Sequence, residues 1–281
     1  MKEHSWLCTF ITQISLCFCV YLAFNMGDRT ESSSRPVETY FMSVAGGFRP
    51  EKEQTLLLKL MAKVAKVYKV QFVVSISELG ENDPLGLNAT WYFLSLKLPW
   101  YTTKSFKGQR PGSYLEHTKV QYGNTLDIVI VNTELFQGPS AGAMEHQLLW
   151  LTKTLEESTS DWRIVVGFHP LLACNGSTEA KDNPLCLNEM FLNHRVDAYL
   201  SGHACTKHVH KQSAKQPGNA DQPGKGPCLT PIRRIFDQNK EKVNGFLLHR
   251  VSSLELVTYS INLKGDVAHK IELQQSGREV M

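Results

Sequence analysis

The chain has 281 residues, a formal net charge of +3 and 42% hydrophobic residues. Charged residues make up 20% and aromatic residues 10%, a globular composition that excludes wholesale disorder. The 30 Lys and Arg residues nearly balance the 27 Asp and Glu residues, so we expect no nucleic-acid partner. The length is ordinary for one α/β domain. Ten histidines and seven cysteines are the unusual part of the inventory, and they raise the question of a metal site.

The N-terminal region contains an uncharged segment, residues 6–24, whose densest part reads ISLCFCVYLAF. Such a run predicts a signal peptide within residues 1–25 or an uncleaved single transmembrane anchor, with a buried helix as the alternative. A slight excess of positive charge on its short N-terminal side favours a translocated body. We therefore expect a protein of the secretory pathway, either secreted or held in a membrane by this segment, with its body lumenal or extracellular. The polar residues 26–38 form the predicted stalk.

Two sequons agree with a lumenal body, and they predict glycosylation at Asn88 and Asn175. In an oxidising lumen the four cysteines of the body can form two disulfide bonds, with three connectivities open. These cysteines are Cys174, Cys186, Cys205 and Cys228. Pairing of the first two would close a short loop around the second sequon. Four reduced thiols in a cytosolic protein are the alternative.

The body begins with a predicted strand (Thr39–Val44), a helix with apolar residues at helical spacing, and a second strand (Val70–Ser77). Strand, helix and strand joined by short connections predict a parallel βαβ unit. Residues 91–96 (WYFLSL) form another apolar run. Further strands are predicted at 126–133, 161–170 and 197–203, and helices at 147–157 and 190–194.

The C-terminal third alternates in short segments around a turn at residues 264–266, which predicts antiparallel strands. Before it, residues 211–231 are rich in Gly, Pro, Lys and Gln and predict a flexible loop. We expect one domain over residues 39–273, followed by a tail, 274–281. In such folds ligands bind outside the carboxyl ends of the strands. The loops expected to carry a site are therefore 45–49, 77–83, 96–100, 132–137, 167–172 and 202–210.

Two segments carry a resemblance to a known family: QLLWLTKTLEESTSDWRIVVGFHP and VDAYLSGHACTKHVH. They resemble the Q-x-x-W-L … W-x-I-V-x-G-H-H-P and Y-x-x-G-H-D-H segments of the calcineurin-like metallophosphoesterases, specifically the small purple acid phosphatases. The resemblance spans about residues 39–270. It implies an α/β fold of four layers, an αββα sandwich of two mixed sheets flanked by helices. It also implies a site where two metal ions clamp a phosphate and generate a hydroxide nucleophile.

The first three family motifs are degenerate in this chain. In the first, G-D-x-G, Gly46 stands where the ligand aspartate is expected. In the second, G-D-x-x-Y, Glu78 and Glu81 take the places of the Asp and the Tyr, and both can ligate a metal. In the third, G-N-H, we place Lys97 and Leu98. A protonated lysine cannot ligate a metal, and leucine has no donor atom. An ion pair between Lys97 and Glu78, filling the metal position, is a further hypothesis.

The last two motifs keep a single ligand. Phe168 occupies the place of the first histidine of G-H-H, and His169 follows it. In G-H-D-H, His203 is retained, Ala204 replaces the Asp, and Cys205 takes the second histidine position. His203 is thus the one intact ligand, with Glu78, Glu81 and Cys205 as chemically capable replacements. A two-metal site built in this way should bind metal very weakly.

Alternatives remain for the other donors. His169 is either a displaced ligand or phosphate contact, or a hydrogen-bonded residue beside Pro170. One rival is a single zinc or copper site, with an ordinary polar loop as its alternative. Its ligands would be Glu78, His203, Cys205, His208 and His210.

Three functions follow from these observations. The first, which we favour, is a catalytically inactive purple acid phosphatase-like protein that binds an unknown protein or a phosphorylated ligand and has no cofactor. The second is a metal-dependent phosphomonoester hydrolase with a rearranged or mononuclear site holding Fe, Zn or Mn. The third is a structural glycoprotein that keeps the fold as a scaffold. Function depends on the site and not on the fold.

Overall fold

The computed structural model describes residues 13–15, 38–103, 114–119, 124–136, 141–169, 187–202, 227–232 and 244–275. The chain divides into two units, residues 1–37 and 38–281. In the first unit, residues 13–15 are helical. The rest of the predicted leader, anchor and stalk lies outside the described residues. Within the described ranges, no helix is both long and apolar enough to cross a membrane.

The second unit, the body, contains eleven described strands and four described α-helices. The strands are β1 (Thr39–Ala45), β2 (Val73–Ile76), β3 (Trp100–Thr102), β4 (Tyr114–Lys119), β5 (Thr125–Val131), β6 (Trp162–Gly167), β7 (Ala198–Ser201), β8 (Cys228–Pro231), β9 (Gly245–Val251), β10 (Glu255–Asn262) and β11 (Val267–Gln274). The helices are α1 (Glu51–Tyr68), α2 (Pro84–Tyr92), α3 (Ala141–Glu157) and α4 (Asn188–Asn193). Short 3-10 turns cover Gly80–Asn82, Leu94–Leu96 and Thr133–Phe136.

The strands form two mixed sheets. The first has the order β11-β10-β9-β1-β2-β3, and the second has the order β4-β5-β6-β7-β8. In the first sheet β1, β2 and β3 are parallel, whereas β9, β10 and β11 are antiparallel to their neighbours. The antiparallel C-terminal strands are therefore confirmed. In the second sheet β5, β6 and β7 are parallel, with antiparallel strands at both edges.

The layers follow from which face of each strand is apolar. Alternate residues of β1 point to opposite faces, so Phe41 packs between the two sheets while Met42 packs under the helices. On the outer side of the first sheet, α1 and α2 bury side chains such as Leu57 and Leu85. On the outer side of the second sheet, α3 and α4 bury side chains such as Leu151 and Phe191. The predicted αββα sandwich is confirmed.

Both helices of the first outer layer begin near the carboxyl ends of the strands and run back along the sheet. Helix α1 follows β1, carries acidic residues in its first turn and ends at Lys69, which adopts the left-handed conformation (φ 50°). Helix α2 has Asp83 as its N-cap residue and a proline at its first position, the favoured start of a helix. These starts bring the loops 46–50 and 77–83 together.

The apolar run 91–96 is not a strand. Its first two residues complete α2, and Leu94–Leu96 form a 3-10 turn. Only Leu96 of this run is fully buried, and Trp91, Tyr92 and Leu94 are 77–78% exposed. The loop 96–100 consequently precedes a strand, β3, and does not follow one.

The prediction of a flexible loop over residues 211–231 is wrong for its last four residues. Residues 228–231 form β8, which pairs with β7 in register Ser201 to Cys228. Composition suggested a loop, but this apolar tetrapeptide gains hydrogen bonds and burial at the edge of the second sheet. Residues 211–226 lie outside the described part of the chain.

Candidate functional site

The carboxyl ends of β1 and β2 meet at a pair of glycines. The amide of Gly46 donates to the carbonyl of Ile76 at 3.0 Å, which continues the pairing of the two strands. Gly47 has φ +100°, a conformation that favours glycine. Its amide donates to the Asp83 carboxylate at 2.6 Å. The loop after β1 is thereby drawn onto a side chain from the loop after β2.

Asp83 is the buried acid at the centre of this arrangement, with 1% of its surface exposed. Its Oδ2 accepts hydrogen bonds from the Gly47 amide and from the Ser77 hydroxyl, the latter at 2.5 Å. Its Oδ1 accepts from the Leu85 amide at 2.9 Å, which caps α2. Both carboxylate oxygens are therefore engaged by neutral donors. Sequence reasoning missed Asp83, although an Asp-Pro pair before a helix is an N-cap signal.

Gly46, the position of the family's first aspartate, has no room for a side chain. A Cβ added there would stand 2.2 Å from Asp83 Oδ2 and 2.6 Å from the Ser77 Cβ. Real Cβ atoms do not approach other atoms so closely. The carboxylate of Asp83 thus occupies the space beside Gly46.

Glu78 and Glu81, the predicted replacements in the second motif, are on the surface. Both are exposed, in contrast to the buried Ser77 that precedes them. None of the hydrogen bonds of the Asp83 carboxylate comes from either residue. Ser77, and not Glu78, is the residue of this loop that points into the site.

The placement of Lys97 and Leu98 in the third motif is wrong. Trp100 pairs with Val73 at the beginning of β2, so residues 97 and 98 lie at the amino end of β3, the edge opposite the site. Lys97 is exposed, and Leu98 packs partly buried beneath α1. No ion pair joins Lys97 to Glu78 among the described side chains, so that hypothesis is also wrong.

Thr103 is the described residue that follows β3 and lies at the carboxyl end. It is buried, and its hydroxyl accepts from the Ser77 amide at 3.0 Å and donates to the Ser77 carbonyl at 2.8 Å. These two hydrogen bonds to the backbone of Ser77 fix the loop that carries this residue. Residues 104–113 lie outside the described ranges.

Phe168 stands at the ends of β6 and β7, in the place of the fourth motif's first histidine. Its ring packs partly buried against the core between the sheets. A Cβ on Gly202 would be 3.0 Å from the Phe168 ring and 3.0 Å from Ile76 Cγ2. The aromatic ring therefore lies beside Gly202, which also approaches Ile76 of the other sheet, at a place where a polar ligand was expected.

His169 is held by two neighbouring residues. Its amide donates to the Thr133 hydroxyl at 3.1 Å, and its Nδ1 lies 2.8 Å from the same oxygen. The Tyr199 hydroxyl donates to the His169 carbonyl at 2.7 Å. Burial raises the pKa of Tyr199, so this phenol remains a neutral donor. The ring of His169 packs edge-on against that of Phe168 at 5.1 Å.

A second histidine, His249, is fully buried behind the site and was not predicted. Its two ring nitrogens lie 2.8 Å from the Ser43 hydroxyl and 2.9 Å from the Thr258 hydroxyl. The ring stacks on Phe41 with 4.3 Å between centroids. Burial lowers the pKa of His249 to about 3, so the ring is neutral near pH 7. It joins three strands of the first sheet.

Several predicted site residues lie outside the described part of the chain. These are His203, Cys205, His208, His210, Cys174, Cys186 and Asn175. Cys228 is described, and it is buried and disulfide-bonded. Asn88 lies on α2, half-buried, and the hydroxyl of its sequon residue Thr90 donates to the Leu87 carbonyl at 2.9 Å.

The described residues do not fit a two-metal centre. Gly46 offers no donor, Phe168 offers a hydrocarbon ring, and the Asp83 oxygens already accept from three donors. In the described ranges, no group of three or more His, Cys, Asp or Glu side chains is close enough to hold a metal ion.

Comparison with known proteins shows a shared fold. No protein-family model and no curated protein sequence matches the chain. Among solved structures, GAP50, the anchor in the inner membrane complex of Plasmodium, is 17% identical over 86% of this chain and 90% of its own, with a TM-score of 0.56. A predicted phosphoesterase from Streptococcus pneumoniae is 13% identical over 84% and 98%, with a TM-score of 0.37. PhoD is 12% identical over 85% and 70%, with a TM-score of 0.44. The fold likeness rests on the first of these.

Proposed function

We propose that this chain is a non-catalytic protein built on a metallophosphoesterase-type fold, and that it acts by binding as an anchored or secreted scaffold of the secretory pathway. The observation that carries the proposal is the filling of the Gly46 position by Asp83. A carboxylate that accepts hydrogen bonds from Gly47 and Ser77 through the same oxygen has no free lone pair of that oxygen to offer a cation.

Two further observations support the loss of chemistry. Phe168 packs as a core residue at the place of a ligand, and such a ring can neither hold a metal nor move a proton. His169 faces Thr133, and its backbone is fixed by Tyr199. A general base must reach a substrate or a water molecule. We assign His169 a structural role.

The placement in the secretory pathway rests on separate observations. The uncharged segment 6–24 and the sequon at Asn175 favour translocation of the body. The disulfide bond of Cys228 is typical of an oxidising compartment. The fold relative from Plasmodium is described as an anchor in a membrane complex, and we extend that kind of role to this chain.

Metal analysis of the full-length protein, combined with an assay of a generic phosphomonoester, tests the proposal. We expect no stoichiometric Fe, Zn or Mn and no hydrolysis above that of a His203→Ala variant. His146→Ala, on the exposed surface of α3, is the matched control for loss of an unrelated histidine. Two bound metal ions, with turnover lost in His203→Ala and kept in His146→Ala, would establish the phosphatase instead.

A further inference from the structure

The amino ends of β1, β2 and β3 form an edge of the first sheet opposite the candidate site. The Gln71 amide donates to the Tyr40 carbonyl at 2.9 Å at this edge, and the Val73 amide donates to the Pro99 carbonyl at 2.9 Å. Helix α1 ends here, with the Tyr68 ring 5.3 Å from that of Tyr40. The body also begins here, because residue 38 immediately precedes β1.

Large apolar side chains are exposed where α1 and α2 end at this edge. We call this set, together with the lysines described next, the amino-edge surface. Its apolar members are Val67, Tyr68, Trp91, Tyr92 and Leu94. Trp91, Tyr92 and Leu94 are each 77–78% exposed, and the 3-10 turn that contains Leu94 packs beside α1. Side chains of this size are seldom left in water side by side without a binding role.

The charge of the surface has one sign. Lys66, Lys69 and Lys97 are exposed within it, and Lys59 and Lys63 follow on the outer face of α1. Among the described residues none of these five lysines forms an ion pair. The sequence contains no Asp or Glu between residues 54 and 77, nor between 84 and 115. Two acids at this edge of the sheet, Glu38 and Glu255, are paired with Arg250.

We propose that the amino-edge surface docks on an anionic lipid bilayer. Tryptophan and tyrosine favour the boundary between water and hydrocarbon, because their rings are apolar and their NH and OH groups remain hydrated. Lysines attract acidic headgroups, and leucine adds buried apolar area. A protein partner would need matching acids and a shaped pocket, whereas a bilayer needs only this mixture of aromatic, apolar and basic side chains.

The sequence supplies the route to the membrane. The uncharged segment ends at residue 24, and fourteen residues connect it to β1. Fourteen residues can reach at most about 50 Å. The chain enters the body at the edge that carries the amino-edge surface. The inference therefore rests on the proposed location of the body on the lumenal side of a membrane, whose facing leaflet must carry acidic lipid, but not on the absence of catalysis.

Hydroxyl-radical footprinting of the full chain in lipid nanodiscs tests the inference. We expect oxidation of Trp91 and Tyr92 to fall at least about fivefold in nanodiscs of phosphatidylcholine and phosphatidylserine, compared with the protein in detergent. Phe48, 76% exposed beside the opposite edge, is the internal control and should react equally in both. Equal oxidation of Trp91 in the chain inserted in lipid would overturn the inference.

Matched lysine variants separate charge from general effects. Lys66→Gln/Lys69→Gln should remove most of the lipid-dependent protection of Trp91, since two lysines at roughly a fivefold factor each weaken binding to an anionic surface about 25-fold. Lys153→Gln/Lys264→Gln removes two exposed lysines from other parts of the surface and should leave the lipid-dependent protection of Trp91 unchanged. Equal effects of the two double variants contradict a specific surface.

Two other outcomes concern the state of the chain. If the N-terminal segment is cleaved, the secreted body should float with vesicles containing phosphatidylserine, and a failure to float overturns the inference while leaving the non-catalytic function intact.

An N-glycan on Asn88, one helical turn before Trp91 and Tyr92, would hold the surface away from lipid. Its detection on the native protein also overturns the inference, and unmodified Asn88 supports it.

Discussion

Asp83 Oδ2 lies 2.2 Å from the point where a Cβ on Gly46 would stand. The two residues come from different loops, one after β1 and the other immediately before α2. The family resemblance implies a metal ligand at the Gly46 position, and the Asp83 carboxylate occupies the space beside it.

Gly46→Ala should destabilise the protein by about 1–3 kcal/mol, the usual cost of forcing an extra methyl into a packed interior. Gly142→Ala is the control, because a Cβ there meets nothing within 4 Å. Its effect should be neutral or stabilising by at most about 1 kcal/mol. Chemical denaturation gives both values. If Gly46→Ala costs as much in an Asp83→Ala background as in the wild type, the contact is not what limits the space.

Asp83→Ala should cost about 2–4 kcal/mol, because it leaves the amides of Gly47 and Leu85 and the hydroxyl of Ser77 without their acceptor and uncaps α2. Asp83→Asn keeps one acceptor oxygen and should cost less. Asp266→Ala, on an exposed turn, should change the free energy of unfolding by less than about 0.5 kcal/mol. A small loss for Asp83→Ala would contradict the structural role assigned to this acid.

The buried His249 should make stability fall below neutral pH. Its pKa is lowered from 6.5 to about 3 in the folded protein, so the unfolded chain binds the extra proton throughout that interval. The stabilisation is complete above pH 6.5 and is lost as the pH falls toward 3, with a limiting slope of about 1.4 kcal/mol per pH unit. Urea denaturation at pH 7.5 and 5.5 measures the difference.

His249→Gln is the informative variant for this pH dependence. It should lower stability at pH 7.5, because the bonds to Ser43 and Thr258 are weakened, and it should also flatten the pH dependence. His146→Gln, at an exposed position, should leave the slope unchanged. An unchanged slope in His249→Gln would show that another group titrates.

Cys228 should be bonded to Cys205. Cys228 lies opposite Ser201 in the register of β7 and β8, and Cys205 follows only four residues after Ser201 in the chain. Cys174 and Cys186 would then form the second bond. Peptide mapping without reduction identifies the pairs, and a fully reduced sample is the control. A bond from Cys228 to Cys174 or Cys186 would contradict this pairing. If Cys205 is bonded, it cannot serve as a thiolate ligand.

The fold was predictable because apolar residues recur at the spacing of strands and helices. The alternation in β9–β11 and the helical spacing in α1 determine which faces are buried, and the resemblance supplied the order of the layers. The run 91–96 has no such repeating pattern and could not be assigned in this way. Its composition is that of a buried strand, but Trp91 and Leu94 are exposed at the end of a helix.

The candidate site was less predictable, because its contacts join residues whose side chains carry no pattern. Gly46 and Phe168 could be read from the motifs as lost ligands. Asp83 could not be placed, since its role depends on the approach of the loop after β1. Lys97 was assigned to the wrong edge because the start of β3 had not been identified, and a shift of a few residues along a strand moves a side chain from one end of a sheet to the other.

The position of β1 has a mechanical consequence. It is the first strand of the body, yet it lies inside the sheet, hydrogen-bonded to β2 on one side and to β9 on the other. A pull on the chain at residue 38 acts along this strand and loads both ladders in shear, so that many hydrogen bonds must break together. Had the N-terminal strand been at an edge, it could be detached by itself. A body tethered through its N-terminus would resist such a force as a whole.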